Sequence, residues 1–377
     1  KSTDHLYAWY KSLLNELKTD KNYIQELSNR ITSGCVSDDE KIEKIFTWVQ
    51  DNITYVAFED GIAGFKPEEA NRVAYLKYGD CKGMANLLVN LLSSAGFDAR
   101  HVWIGTRSKY YTYDKPSLAV DNHMICALKY NEETYFLDGT SKSASWKTPP
   151  SHLEGKQAMI ANGDSYEIIE VMVSDPSKNK IEMTGEMDLA MDIPELRLDV
   201  VITGHVKRRF ISYLKSAPAE RKGDIAYYII ADFLDGIKIS SINKPNITED
   251  QISFELTGQY LNIAKSSKTT VFPFMDLMEY RTLDEYDAAV HIDFKTQISS
   301  SIKILNLERS PKELELRSST NDEEFVAEYS VNSEGKTTTV NQLLVYDGFH
   351  SSLENSDEWN NFVSDINLWN NYPLAYE

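Results

Sequence analysis

YGDCKGMANLLVNLL, residues 78–92, is the stretch on which the reading of this chain turns. Residues 84–92 are almost wholly apolar and predict a helix, entered through the glycine turn that precedes it. Cys81 then stands on the first turn of that helix. First-turn N–H groups have no intrahelical partner, and the N-terminus is the positive end of the helix dipole. Both stabilise an anion, so a cysteine placed there is biased toward thiolate, the nucleophilic form of sulfur.

Upstream of this stretch the pattern is helical. Asp4 and Asp20 are expected caps for LYAWYKSLLNELK and NYIQELSNRI. Ser37-Asp38-Asp39-Glu40 reads as a capping box before IEKIFTWVQDNI, and Pro67-Glu68-Glu69 as the first turn of the helix ANRVAYLKY. Downstream the period changes to that of strands. ARHVWIGTR, HMICALKY and TYFLD are β-rich, with Asn131-Glu132-Glu133 as a hairpin turn between the last two. Helices followed by an antiparallel meander predict an α+β core.

Two groups on that meander can serve Cys81. His123 opens one strand 42 residues after the cysteine, and Asp138 closes the next strand 15 residues later. Cysteine, histidine and aspartate in this order are the parts of a thiol acyl-transfer site. The thiolate attacks, the histidine forms its ion pair and protonates the leaving group, and the carboxylate fixes the ring's orientation and tautomer. The Cys81 backbone N–H serves as an oxyanion donor, worth about 2.7–4 kcal/mol of barrier in such sites. Taken singly, each residue also reads as structural: a small buried hydrophobe, a strand histidine, a turn aspartate. The helix-start position of Cys81 and the hairpin relation of the other two favour the functional reading.

Residues 48–140 resemble the transglutaminase-like (papain-like thiol) superfamily. The resemblance is carried by WVQDNITYVAFE (48–59), by residues 65–105 around GDCKG, by NHMICAL (122–128) and by YFLDGT (135–140). It implies Cys81 as nucleophile, His123 as base and Asp138 as the orienting carboxylate. It also implies likeness to multidomain bacterial proteins that flank such a core with β-rich domains, a role matched here by residues 175–377. Animal transglutaminases carry Gly-Gln-Cys-Trp, whereas this chain has Gly79-Asp80-Cys81-Lys82. Their oxyanion tryptophan has no counterpart at its usual place, so Tyr55 and Asn122 are the candidate donors in the cleft. Asp80 beside the nucleophile opposes a thiolate, and Lys82 offsets it. Gly139 after the carboxylate is expected to loosen its loop.

The remaining sequence bounds the function. At 377 residues the chain exceeds one ordinary core, and its 42% hydrophobic content excludes disorder. Its net charge of −19, from 39 basic and 58 acidic residues, opposes binding to nucleic acid or anionic membrane and favours a neutral or cationic partner. Three cysteines (Cys35, Cys81, Cys126) cannot form a disulfide framework and show no metal spacing, so no metal or cofactor is expected. Cys126 is expected in the core, Cys35 as a bystander, and His101 and His152 as structural or exposed. Tyr110, Tyr111 and Tyr113 lie in a loop expected beside the cleft. No apolar run approaches membrane-spanning length, and no signal-peptide pattern stands at the start. The chain opens inside a helical pattern at Lys1, which predicts a processed protein. Exported relatives make periplasm or cell surface the expected location.

Three domains are expected: a transglutaminase-like core with N-terminal helices over 1–174, a β-rich domain with a helical insertion over 175–283, and a β-sandwich-like domain ending in a helix over 284–377. The expected function is cysteine-dependent acyl transfer, with hydrolysis of a peptide or amide in a peptide or protein substrate. The alternatives are a degenerate scaffold that binds protein or polysaccharide, and crosslinking of the transglutaminase type.

Overall fold

The computed structural model describes residues 2–375 except 58–59, 143, 191–192, 219, 222–224, 232–233, 235–236, 261–263, 266–268, 272–289, 292, 308, 349, 352–355 and 371–373. The chain divides into two compact units, Lys1–Val173 and Ser174–Glu377.

The first unit is α+β. Helix α1 (Thr3–Asn15) is capped by Ser2, whose hydroxyl accepts from the His5 N–H at 3.4 Å. Asp4, the expected cap, lies inside the first turn because Ser2 is the last extended residue. Helix α2 (Lys21–Ile31) is capped by Asp20, which accepts from the Tyr23 N–H. At α3 (Asp38–Asn52) Ser37 accepts from the Glu40 N–H, and the Glu40 carboxylate reaches back to the N–H of Val36, one residue beyond the usual capping box. Helix α4 (Ala70–Leu76) starts three residues after Pro67, since Glu69 is still extended at φ −61°, ψ 133°.

Lys77 ends α4 in the left-handed region (φ 62°), turning the chain into a short strand. That strand, β2 (Tyr78–Gly79), pairs in parallel with β1 (Thr54–Tyr55). The pairing fixes the entry to α5 (Cys81–Ser94) next to Tyr55. From Cys81 to Leu92 every residue of α5 except Asn90 is buried, so this is a core helix rather than a surface one. Leu87, Leu88, Leu91 and Leu92 pack on Ile45, Phe46 and Val49 of α3 and on Cys126, Leu128 and Leu137 of the sheet. Each such leucine contributes about 1.5–3 kcal/mol by leaving water, which holds the start of α5 firmly in place.

The sheet beneath α5 has five strands: β3 (Asp98–Ile104), β4 (His123–Tyr130), β5 (Glu133–Leu137), β6 (Gln157–Asn162) and β7 (Ser165–Glu170). Their order is β5-β4-β3-β6-β7, antiparallel throughout. Asn131 and Glu132 both take positive φ, which closes the tight β4–β5 hairpin. His123 pairs with Ile104 at the end of this register, where a side chain clears the sheet and can meet α5.

The second unit is built on a nine-stranded sheet. Its path runs Ile237–Ile242, Gln251–Tyr260, Glu195–Thr203, Lys180–Asp188, Thr296–Leu305, Thr337–Tyr346, Phe325–Glu334, Leu314–Ser319, with Asn246–Ile247 paired to Gln251–Tyr260. Among the described residues of this sheet the one parallel pairing joins Lys180–Asp188 to Thr296–Leu305. Strands from 175–283 and from 284–377 thus share one sheet, and one core takes Phe210 together with Trp359 and Phe362. Two separate domains over these ranges are not what forms, because a strand cannot leave a continuous hydrogen-bonded ladder without exposing both edges. The boundary expected near Asp284–Asp287 lies outside the described residues.

Candidate active site

Cys81 is the first residue of α5, buried with 8% of its surface exposed. Asp80 is the helix cap: its Oδ1 accepts from the Gly83 N–H at 2.8 Å. Its Oδ2 forms an ion pair with Lys82 Nζ, and both side chains are nearly sealed from solvent. The negative charge that the sequence sets against a thiolate is therefore matched by its own lysine, two residues along. Gly83 is closely packed, since a Cβ there would sit 3.0 Å from Val73 Cγ2.

His123 Nε2 lies 3.0 Å from Asp138 Oδ2, and the Cys81 side chain lies close enough to act on the charge of the ring. With Nε2 engaged by the carboxylate, Nδ1 is the ring nitrogen left for sulfur. Burial disfavours a charged ring, but the Asp138 charge and hydrogen bond, aided by Cys81, push His123 up to about 10. Asp138 is itself buried, which alone raises a carboxyl. The charge and hydrogen bonds of His123 and His152 outweigh that and hold it well below the usual range. The Asp138 carboxylate accepts four further protein contacts: the Thr140 N–H (2.9 Å) and hydroxyl (2.7 Å) at Oδ1, the Ser141 hydroxyl (2.9 Å) at Oδ2, and His152 Nε2 (3.3 Å) at Oδ2. Gly139 does not loosen this loop. It is buried, and a Cβ there would lie 3.2 Å from both Leu88 Cδ1 and Val49 Cγ1.

A cleft of about 310 Å³ opens beside Cys81 and His123, with Asp80, Tyr55, Asn122, Tyr10, Phe65, Trp103 and Asp121 among its lining residues. Tyr55 is 45% exposed on its rim. The Asn122 carboxamide is committed elsewhere, accepting from the Thr106 N–H (2.8 Å) and donating to the Thr106 hydroxyl (3.1 Å). Among the remaining sequence candidates, Cys126 is fully buried, and burial pushes its thiol up. Cys35 is half-buried and unpaired. His101 bonds Asn86 Oδ1 at 3.0 Å, and burial lowers its ring to about 4. Tyr110 and Tyr111 are exposed, but Tyr113 is buried and donates to Asp121 at 2.6 Å. WVQDNITYVAFE ends at Phe58 and Glu59, which lie outside the described residues.

Two features of the site escape the sequence. His152, from the turn Ser151–Leu153, reads there as a lone histidine; only the fold brings it onto Asp138. Asp121 stands two residues before the histidine, and its tyrosine partners come from helix α1 and from the loop eight residues upstream. His123, Asp138 and His152 place three ligand-type atoms within 4.8 Å of one another. The atoms converge because both imidazoles reach the same carboxylate oxygen of Asp138.

A helix-start cysteine under a histidine held by an aspartate, on a helix packed against an antiparallel sheet, defines a papain-like thiol fold. Residues 25–136 match the model of the transglutaminase-like superfamily. The crystal structure of a "putative protease" from Parabacteroides distasonis shares the fold with a TM-score of 0.53 at 13% identity, over 96% of this chain. A "putative cysteine protease" from Cytophaga hutchinsonii is similar over 32% of this chain at 16% identity, with a TM-score of 0.26. The chain spans 55% of the length of the first of these proteins and 37% of the second. A comparison with curated proteins finds no match. Among the described residues no helix is long and apolar enough to cross a membrane.

Proposed function

We propose that this protein is a cysteine-dependent acyl-transfer enzyme that hydrolyses a peptide or amide bond, with Cys81 as nucleophile. The observation that carries the proposal is geometric: His123, bonded to Asp138 at 3.0 Å, lines one cleft with Cys81, the first residue of α5. An imidazolium and the first-turn N–H groups both stabilise sulfur as thiolate.

In the first half-reaction the Cys81 sulfur bonds to the substrate carbonyl carbon while the Cys81 N–H supports the oxyanion. The C–N bond then breaks, and His123 delivers its proton to the departing nitrogen, leaving a thioester and a neutral imidazole. Water attacks the thioester carbon and gives a proton to His123. The C–S bond breaks, releasing a carboxylic acid and restoring the thiolate–imidazolium pair. Asp138 stays ionised throughout and keeps the ring oriented. That Cys81 and His123 line one open cleft, with the ring fixed by Asp138, favours this reading over a degenerate scaffold with a sealed site.

The test is alkylation of the native protein at mildly acidic pH. Iodoacetamide is expected to label Cys81 at least about tenfold faster than a model thiol, because its thiolate is held by a partner. Labelling at the model rate, with Cys81→Ala and wild type equally inert toward a peptide library, would remove the proposal.

A further inference from the structure

We propose that the cleft beside Cys81 holds an ammonium group of the substrate against the Asp121 carboxylate, between aromatic side chains that include Tyr10, Tyr55, Phe65 and Trp103. This names the substrate class of the acyl-transfer site proposed above and rests on that reading.

The cleft contains two carboxylates in different states. Asp80 is neutralised by Lys82 and spends its other oxygen on the helix cap. Asp121 accepts from two tyrosine hydroxyls, Tyr10 at 2.9 Å and Tyr113 at 2.6 Å, and among the described residues no cation lies within ion-pair distance. Lys156 is near enough to act on its charge, but that ammonium donates to the Lys109 carbonyl. A desolvated carboxylate without a counter-ion is a costly arrangement. Burial pushes the Asp121 carboxyl up to about 6, against the pull of the tyrosine bonds. An arriving ammonium restores the missing charge.

The walls suit the same ligand. Tyr10 stacks on Trp103 with ring centroids 4.7 Å apart and planes within 9°, and Tyr10 carries its hydroxyl to Asp121. Carboxylate and aromatic rings together attract a cation, the rings through their negative faces. The chain's net charge of −19 acts in the same direction at longer range. An ammonium held this way keeps its proton and is not a nucleophile. It is a recognition element of the substrate, not the acceptor of the acyl group.

Binding to Cys81→Ala, measured by calorimetry, separates this inference from the catalytic one. Three peptides of one sequence are compared, varied only in the N-terminal group and at one side chain: N-acetylated with lysine, free-amine with norleucine, and N-acetylated with norleucine. They present a side-chain ammonium, a terminal ammonium and no cation. One of the first two is expected to bind about tenfold or more tighter than the third, as a charge-assisted hydrogen bond in a partly buried site provides. Which one does so identifies the source of the ammonium. Adding Asp121→Asn, which keeps an acceptor for one of the two tyrosines and removes the charge, is expected to bring the peptides within about twofold of one another. Equal binding of all three to Cys81→Ala overturns the inference, as does a preference that survives Asp121→Asn. Should Asp121→Asn fail to fold, an N-acetylated glutamate peptide on Cys81→Ala decides in its place. It must bind more weakly than the neutral one, and equal or tighter binding overturns the inference. Slow alkylation of native Cys81 would instead count against the catalytic reading alone.

Discussion

His152 Nε2 lies 3.3 Å from Asp138 Oδ2, the same oxygen that His123 Nε2 reaches at 3.0 Å. Two imidazoles therefore share one buried carboxylate, and what His152 draws from it is unavailable to His123. His152→Ala is expected to strengthen the hold of Asp138 on His123 and to move the alkaline limb of the Cys81 alkylation profile upward. The rate at neutral pH should change by less than about tenfold, because the Cys81–His123–Asp138 chain remains intact. Measuring that rate from pH 5 to 11 checks the claim. A limb that stays in place would make His152 a packing residue only.

Asp138→Asn removes the charge that keeps His123 protonated. The limb, expected near 10 in the wild type, should fall toward the ordinary imidazole value of about 6.5. Alkylation at pH 8 should then slow toward the rate of a model thiol, as the ion pair is lost. The same profile in Asp138→Asn with a stable fold, confirmed by thermal melting, isolates the charge from any general loss of structure. An unmoved limb would mean that another group sustains the imidazolium.

Much of the fold was legible because its determinants are local. The apolar run at 84–92 predicts a core helix, and the Asp20 and Ser37 caps announce α2 and α3. Cys81, His123 and Asp138 could be picked out because each marks the boundary of an element; the structure bonds His123 to Asp138 and lines one cleft with Cys81 and His123. Local signals failed where a partner is distant. Nothing near His152 announces Asp138, and nothing near Asp121 announces Tyr10, which lies 111 residues away in the chain. The pairing of Thr296–Leu305 with Lys180–Asp188 is a parallel, long-range contact. No turn encodes such a pairing, so the second unit reads in sequence as two domains rather than one sheet.

Stability should depend on pH through the same pair. His123 has a folded value of about 10, raised above the unfolded value near 6.5. Its contribution is therefore complete below about 6.5 and is lost as pH rises through about 10. Asp138 is shifted the other way. Its contribution is present above the unfolded carboxylate value of about 3.9 and is lost as pH falls through its low folded value. Urea unfolding between pH 7 and 10.5 is expected to show a decline on the order of a few kcal/mol. His123→Gln should flatten that slope. If the slope is unchanged in His123→Gln, the alkaline loss arises from other groups.

Gly83 gives the last prediction. In an exposed helix, alanine is better than glycine by about 1 kcal/mol. Here a Cβ would meet Val73 Cγ2 at 3.0 Å, Asp80 Oδ1 at 3.5 Å and Glu68 Cβ at 3.6 Å. Val73 is fully buried and packed in the same core as α5, so it has little room to retreat. Crowding should outweigh propensity, and Gly83→Ala is expected to destabilise the first unit by about 1–3 kcal/mol in urea unfolding. It should also slow alkylation of Cys81, because the added methyl presses on the Asp80 cap that sets the first turn. Combining it with Val73→Ala removes the opposing methyl, so the double variant should lose less stability than the two single changes summed. Strict additivity would show that the glycine is there for another reason.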